Sequence, residues 1–219
     1  HDVFASFEIV GKDADVEVYR MRGYLTPRDL NPVLVDGDVS QSVHTPASAP
    51  SVIAVGATAY RTEFVNYLGE RKIYNSGKDG RLIYYSSTGP SRDGRLKPEV
   101  VAPGHNIISA YSSHFVMNPV NNGAPIASDV LHFQLNNRTY AWNANSGTSM
   151  STPIVAGAIA LWLEAYPKLT AADCRAIFAR TSTHNDNVAN YPNNRYGYGQ
   201  IDVLAGLKEV LKLSAAGIE

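Results

Sequence analysis

Apolar residues recur at helical spacing after residue 153, and this periodicity predicts a long helix. The apolar positions 154, 158, 161, 162 and 165 follow the i, i+4, i+7, i+8, i+11 spacing of one helix face. The predicted helix begins near Ser149 and holds Pro153 in its first turn, where backbone N–H groups have no intrahelical acceptor. Ser149 is therefore expected at the positive end of the helix dipole.

Four small residues, Ala156, Gly157, Ala158 and Ala160, lie within this predicted helix. Because glycine lowers helix stability by about 1 kcal/mol, their presence favours close packing against a sheet or another helix. On that interpretation, the substitution Gly157→Leu would overfill a crowded face and would destabilise the protein by about 1–3 kcal/mol or more.

Shorter apolar runs predict strands. Residues 51–57 form an uninterrupted run that is typical of a strand buried on both faces of a parallel sheet. Residues 81–87 are expected to form an edge or antiparallel strand, and residues 106–111 a further short strand. Residues 112–137 are a long polar segment without a recognisable motif, and residues 139–142 lead back to the serine segment.

Two further helices are indicated by their capping residues. Thr170 and Asp173 have the spacing of a capping box, with aspartate in place of glutamate, and predict a helix from Ala171 to about Arg180. Asp202 is expected to cap a last helix over about residues 203–213. Residues 1–46 consist of short apolar runs between glycines and prolines, which predicts a β-rich segment, the tail of an upstream insertion or domain, with a boundary near residue 46.

Composition narrows the function classes. The formal charge of -1, from 19 basic and 20 acidic residues, gives no electrostatic footprint for nucleic acid or an anionic membrane. The single cysteine, Cys174, is expected to pack in a helix, and no cluster has the ligand spacing of a metal site. No apolar run reaches the roughly 18 residues of a membrane span. The chain opens at His1 without a methionine or a signal-peptide pattern, so we expect a processed or trimmed product. No cofactor is expected.

The serine segment itself carries the strongest indication of chemistry. Residues 147–153 read Gly-Thr-Ser-Met-Ser-Thr-Pro and resemble the active-serine motif of subtilisin-like serine peptidases. The GxSxG motif of the α/β-hydrolases does not fit, because Ser151 occupies the place of its second glycine. Residues 86–104, which are rich in glycine and proline, and the joint at residues 197–203 resemble segments of the same family. The resemblance covers about residues 47–212.

The resemblance implies a three-layer α/β/α subtilisin-like domain with a mainly parallel sheet, here incomplete, in which residues 47–219 are the C-terminal half. It implies that Ser149 is the nucleophile of a serine endopeptidase and that Gly147, Thr148 and Ser149 form the nucleophile loop, where the Ser149 backbone N–H and the Thr148 hydroxyl would stabilise an oxyanion. A protein or peptide substrate, and a secreted or cell-envelope location, are further implications.

Three motifs of the family do not occur in these 219 residues. The first is the aspartate motif, which reads Asp, then Ser or Thr, then Gly. The second is the histidine motif, which reads His, then Gly, then Thr or Ser. The third is the segment that holds the oxyanion asparagine. Residues 33–38 end an apolar run in Asp-Gly-Asp but lack the hydroxyl residue, so a turn acid is the better interpretation. The internal histidines lack the glycine and hydroxyl neighbours and are expected to be surface or structural residues: His44, His105, His114, His132 and His184.

A serine hydroxyl needs a general base, so the chain alone is expected to be inactive, with the base carried by the missing N-terminal half of the same domain. Two alternatives stay open. A pseudo-peptidase would use the scaffold to hold a peptide, and an assembly domain would pair the cut edge of its sheet, near residues 52–57, with a second copy.

Overall fold

The structure is a computed structural model that describes residues 10–13, 16, 39–74, 77 and 80–216. Residues from Val39 onward form one compact unit. Most of the β-rich segment predicted for residues 1–46, and the turn predicted at residues 33–38, lie outside the described residues. The boundary near residue 46 therefore stays a prediction.

Short strands and one single-turn helix occupy the described residues up to Asn145, and three longer helices follow. The described strands are β1 (Val55–Ala59), β2 (Glu63–Val65), β3 (Arg71–Ile73), β4 (Val100–His105), β5 (Ile107–Ala110), β6 (Asp129–Leu135) and β7 (Arg138–Asn145). The described helices are α1 (Ser113–Val116), α2 (Thr148–Ala165), α3 (Ala171–Thr181) and α4 (Val203–Ala216).

The parallel pair β1 and β4 lies under the helices. Val55 of β1 pairs with Val100 of β4, and both strands are almost wholly buried, as the uninterrupted apolar run predicted. Helix α2 contacts both strands and α4. The described residues therefore form an α/β domain with parallel strands and confirm the predicted fold class.

The outer edge of β1 is not open along its whole length. The Ile83 backbone N–H donates to the Ala57 carbonyl at 3.0 Å, and the Ala59 N–H donates to Arg81 at 2.8 Å. Residues 81–87 were expected to be a strand, but they form turns with a single bridge between Thr58 and Leu82. That prediction is wrong because these residues bond to β1 at isolated points, and this also closes part of the edge expected to pair with a second copy.

A three-stranded antiparallel sheet in the order β5-β7-β6 occupies much of the segment predicted to be polar and irregular. Asn136 and Asn137 connect β6 to β7, and both have positive φ, at 49° and 60°. Two consecutive residues with positive φ are typical of the tight turn that joins twisted hairpin strands. Strand β7 then leads directly into the serine segment.

Helix α2 buries Ser151, Val155, Ala158 and Trp162 on one face. Leu161 was expected on this face but is 53% exposed. Ala156, Gly157 and Ala160 are exposed too, and a Cβ added to Gly157 would meet no heavy atom within 4 Å outside its own helix backbone. The crowded face expected around Gly157, and with it the predicted instability of Gly157→Leu, is therefore wrong for this chain.

The two C-terminal helices begin where the sequence predicted. The Thr170 side chain accepts from the Asp173 N–H, and the Asp173 carboxylate accepts from the Thr170 N–H, which completes the capping box of α3. Asp202 accepts from the Ala205 N–H at 2.8 Å at the start of α4. Cys174 is buried in the core as expected, and this burial raises the pKa of its thiol.

A buried ion pair fixes the approach to β1. The Lys97 ammonium is 1% exposed and lies 2.7 Å from the Glu99 carboxylate, which also accepts from the Ala54 N–H. The same ammonium donates to the Val52 carbonyl at 2.5 Å. Arg175 of α3 reaches the same carboxylate at 3.3 Å, so this network joins α3 to the start of β1. None of the helices in the described ranges has the length and apolar character needed to cross a bilayer.

Candidate active site

Ser149 is the second residue of α2 and its side chain is exposed. The first backbone N–H groups of a helix have no intrahelical partner. Met150 donates its N–H to the Gly147 carbonyl at 3.0 Å, whereas the N–H groups of Thr148 and Ser149 have no acceptor among the described residues. An exposed hydroxyl thus stands beside free N–H donors at the positive end of the helix dipole.

The backbone at Gly147 requires glycine. Its φ of 150° and ψ of 164° lie in a region that side chains rarely permit. The Gly147 N–H donates to the Gly104 carbonyl at 2.8 Å, which ties the serine loop to the end of β4. A Cβ on Gly104 would lie 2.7 Å from the Ala57 Cβ and 2.9 Å from the Gly147 carbonyl oxygen, so only glycine permits this approach.

Polar side chains near the end of β4 hold the serine loop in place. The Tyr85 hydroxyl donates to the Gly104 carbonyl and lies 3.1 Å from His105 Nδ1. The Asn106 N–H donates to Ser146 Oγ at 2.9 Å, which anchors the residue that precedes Gly147. Burial raises the pKa of the Tyr85 hydroxyl, so it stays protonated and remains a donor near neutral pH.

Pro153 is the sixth residue of α2 rather than part of its first turn, and the predicted position is corrected accordingly. A proline at this place has no N–H to donate to the Ser149 carbonyl. The preceding carbonyl, that of Thr148, accepts from the hydroxyls of Ser151 and Thr152 at 3.0 and 2.9 Å. Because of the proline, the Ser149 carbonyl lacks the N–H that would donate to it in a regular helix, and this carbonyl belongs to the same residue as the exposed hydroxyl.

None of the histidines in the described residues hydrogen-bonds to Ser149. His105 is buried with its Nδ1 beside Tyr85, and its Nε2 has no partner in the described part of the chain. His184 stacks on Tyr191 with ring centroids 4.0 Å apart, and His114 lies 3.3 Å from an Arg138 nitrogen. Within the described ranges there is no group of three acidic, histidine or cysteine side chains that could hold a metal ion.

The model of the subtilase family, Peptidase_S8, matches residues 31–199. The chain belongs to the subtilase family. An uncharacterised protein of Aquifex aeolicus, aq_aa18, is 32% identical over 73% of this chain and 62% of its own length. The serine protease AprX of Bacillus subtilis is 30% identical over 76% of this chain and 32% of its own length.

Among solved structures, the CspB protease of Clostridium perfringens matches 81% of this chain and 30% of its own length, with a TM-score of 0.53 and 23% identity. This likeness establishes the subtilase fold. The chain thus spans less than two thirds of the length of each of these three relatives. Membership in the subtilase family supports peptidase chemistry at the family level.

The sequence located the serine loop but not the residues that hold it. Gly104 is the last residue of the segment 86–104, which resembles the family in sequence. Its contact with Gly147, however, is visible only in the structure. Tyr85 fell in a segment expected to be a strand, where side chains alternate. No periodic signal in the sequence pointed to a tyrosine that bonds to the Gly104 carbonyl, which holds the serine loop.

Proposed function

We propose that Ser149 is the nucleophile of a serine endopeptidase and forms an acyl-enzyme with a protein or peptide substrate. The observation that carries this proposal is an exposed serine hydroxyl at the start of α2, next to its own free N–H, on a loop tied to Gly104. A free N–H at a helix start is the donor an oxyanion needs. The Thr148 hydroxyl is the second donor in this proposal.

The general base is the missing part, since these 219 residues lack the family's aspartate and histidine motifs. Base assistance is typically worth about 10²- to 10⁴-fold, so we propose that the chain alone has little or no activity. The base, its carboxylate and the oxyanion asparagine would come from a polypeptide equivalent to the N-terminal half of the domain. Secretion or a cell-envelope location remains an expectation from the family.

The exposed side of α2 supports docking of such a polypeptide. Ser149, Pro153, Ala156 and Ala160 are spaced i, i+4, i+7 and i+11, so they lie on one helix face. The last three are exposed and carry no large side chain, which permits close approach of another backbone. A polypeptide seated on this face would lie beside the Ser149 hydroxyl, where a base must be.

The direct test uses a fluorophosphonate probe, which labels an activated serine. The 219-residue chain should label at Ser149 no faster than a denatured control. After addition of a separately produced N-terminal half of a subtilase domain that carries the three motifs, labelling and peptide cleavage should appear and should vanish in Ser149→Ala. Brisk labelling of the chain alone would overturn the proposed division of the catalytic residues.

A matched pair of substitutions tests the docking face. Ala160 of α2 and Ala176 of α3 are both exposed helix alanines. Ala160→Leu should leave the melting temperature of the chain within about 2 °C, because surface substitutions usually change stability by less than about 0.5 kcal/mol. It should nevertheless weaken complementation strongly, whereas Ala176→Leu should not. Equal effects of both variants on complementation would place docking elsewhere.

A further inference from the structure

An open cavity of about 560 Å³ lies between Arg81 and the loop of residues 185–196, which follows α3. Sites for small molecules in proteins have volumes of about 300–1,000 Å³. Two arginines, Arg81 and Arg195, line the cavity, and no acidic side chain of the described residues does. We call this cavity the arginine cleft. Its lining carries two formal positive charges and no negative one.

The two arginines of the cleft have no ion-pair partner. In the described part of the chain neither Arg81 nor Arg195 pairs with a carboxylate, and neither guanidinium donates a hydrogen bond. Both side chains are exposed, so a ligand can reach them. Like charges that line one cavity repel each other, and an anion bound between them converts this repulsion into attraction.

Hydrogen bonds on both sides of Arg81 tie its backbone to the loop. Asn185 Nδ2 donates to the carbonyl of Gly80, the residue before Arg81, at 3.0 Å. The N–H of Leu82, the residue after Arg81, donates to the Tyr196 hydroxyl at 2.9 Å. The backbone of Arg81 is therefore held against the loop before any ligand binds, which lowers the entropic cost of binding.

The backbone of Arg195 is fixed in a similar way. Asn193 Oδ1 accepts from the N–H groups of Arg195 and Tyr196, both at 2.9 Å. Asn193 Nδ2 donates to the Asn190 carbonyl at 2.7 Å. Bonds of this kind, from an asparagine side chain to the nearby backbone, stabilise a turn. The Asn193 side chain thus shapes the loop, and the guanidinium of Arg195 stays free to donate to a ligand.

The chemistry of the lining identifies the class of ligand. A guanidinium is planar and presents a fork of N–H donors that matches two oxygens of a carboxylate or a phosphate. Val188 and Ala189 add apolar surface to the same cavity. We propose that the arginine cleft binds a small dianion, in which a short carbon chain joins two carboxylate or phosphate groups, one for Arg81 and one for Arg195. This proposal does not depend on the function of Ser149.

Titration calorimetry of the 219-residue chain at low salt tests the ligand class. Succinate carries two carboxylates, and 3-phosphoglycerate carries one carboxylate and one phosphate. Acetate is a control with one charge, and succinamide has the shape of succinate without its charges. At least one dianion should bind at least tenfold more tightly than acetate, succinamide should not bind, and added salt should weaken the binding. If neither dianion binds more tightly than acetate, the proposal is wrong.

A matched set of substitutions tests the location. Arg81→Gln and Arg195→Gln should each raise the Kd of the tighter dianion at least tenfold, because a charge-assisted hydrogen bond is lost. Arg61, whose guanidinium lies 5.0 Å from the centre of the Tyr60 ring, does not line the cleft. Arg61→Gln removes the same charge and should change the Kd less than twofold. Equal effects of all three variants would mean attraction by net charge and would overturn the proposal.

Chemical modification gives a second measurement that needs no variant. Phenylglyoxal reacts with accessible guanidinium groups, and mass spectrometry identifies the modified residues. The tighter dianion should slow modification of Arg81 and Arg195 and leave that of Arg61 unchanged. Protection of other arginines in place of these two would put the bound dianion elsewhere and would overturn the proposal, whatever the outcome of the peptidase tests on Ser149.

Discussion

Two glycines inside helices should respond in opposite directions to the same substitution. A Cβ added to Gly157 of α2 would meet no atom within 4 Å outside its helix backbone. A Cβ added to Gly206 of α4 would lie 2.0 Å from Cζ2 of Trp162, which is fully buried. Replacing glycine by alanine inside a helix normally stabilises by about 0.5–1 kcal/mol, so packing alone decides the difference.

For Gly157→Ala the whole gain of about 0.5–1 kcal/mol should be realised, and for a chain of this size this raises the melting temperature by about 1–4 °C. For Gly206→Ala the Trp162 ring must move by more than an ångström, or α4 must shift. The indole N–H also donates to the Val203 carbonyl at 3.1 Å, which ties the ring to the first turn of the same helix and limits its movement. Overpacking of this kind costs about 1–3 kcal/mol, which lowers the melting temperature by about 2–12 °C.

The assay is thermal unfolding of both variants and the parent, followed by circular dichroism, with near-ultraviolet spectra to report the Trp162 environment. A lower melting temperature for Gly206→Ala should come with a changed near-ultraviolet signal, while Gly157→Ala keeps the parent spectrum. If Gly206→Ala is as stable as Gly157→Ala, α4 does not pack on Trp162 at the described distance. The core formed by α2 and α4 would then need a different arrangement.

Three further predictions concern other contacts of the same unit. Lys97→Met should lower the free energy of unfolding in urea by about 1–3 kcal/mol, because the buried Glu99 carboxylate loses its closest cation and keeps only Arg175, at 3.3 Å, and the Ala54 N–H; a cost below about 0.5 kcal/mol would contradict that. Gly147→Ala should cost about 1–3 kcal/mol of thermal stability, since alanine is strained at φ 150°. Hydrogen bonds from Thr170 lower the pKa of Asp173, so the stability lost in Asp173→Asn should be constant above about pH 5 and should disappear as acid protonates the parent carboxylate. If the stability difference between the parent and Asp173→Asn disappeared as the pH rises instead, the lowered pKa of Asp173 would be contradicted.

Local rules succeeded where one short stretch of sequence determines the structure. The capping box of Thr170 and Asp173 predicted the first residue of α3, because the partners lie three residues apart and need nothing distant. The strand predicted within residues 51–57 appears as β1, displaced toward its C-terminal end. Its buried, parallel character follows from an unbroken apolar run of strand length.

Prediction failed where a distant partner decides the structure. Residues 81–87 have strand composition, but their N–H and C=O groups bond to β1 at only a few points and the Ser86 hydroxyl takes the Ala57 N–H. Strand β6 does carry the apolar–polar alternation of a strand over residues 131–135, but it lies in a segment that is polar as a whole, and alternation does not tell which face is buried. Pattern analysis assumes that apolar side chains face a core, and this sheet departs from that assumption.

The exposed side of α2 links the failed prediction about Gly157 to the candidate site. Glycine inside a helix is costly unless something approaches closely, since it weakens the helix by about 1 kcal/mol relative to alanine. In the described residues nothing approaches Gly157, yet the face begins at Ser149 and continues through Ala156 and Ala160. Gly157 therefore has no packing partner in the described residues, on the same side of α2 as Ser149, the proposed nucleophile that lacks a base. One docked polypeptide that supplies both the packing partner of this helix face and the general base would account for the exposed glycine and for the missing base. The matched Ala160→Leu and Ala176→Leu variants test that explanation.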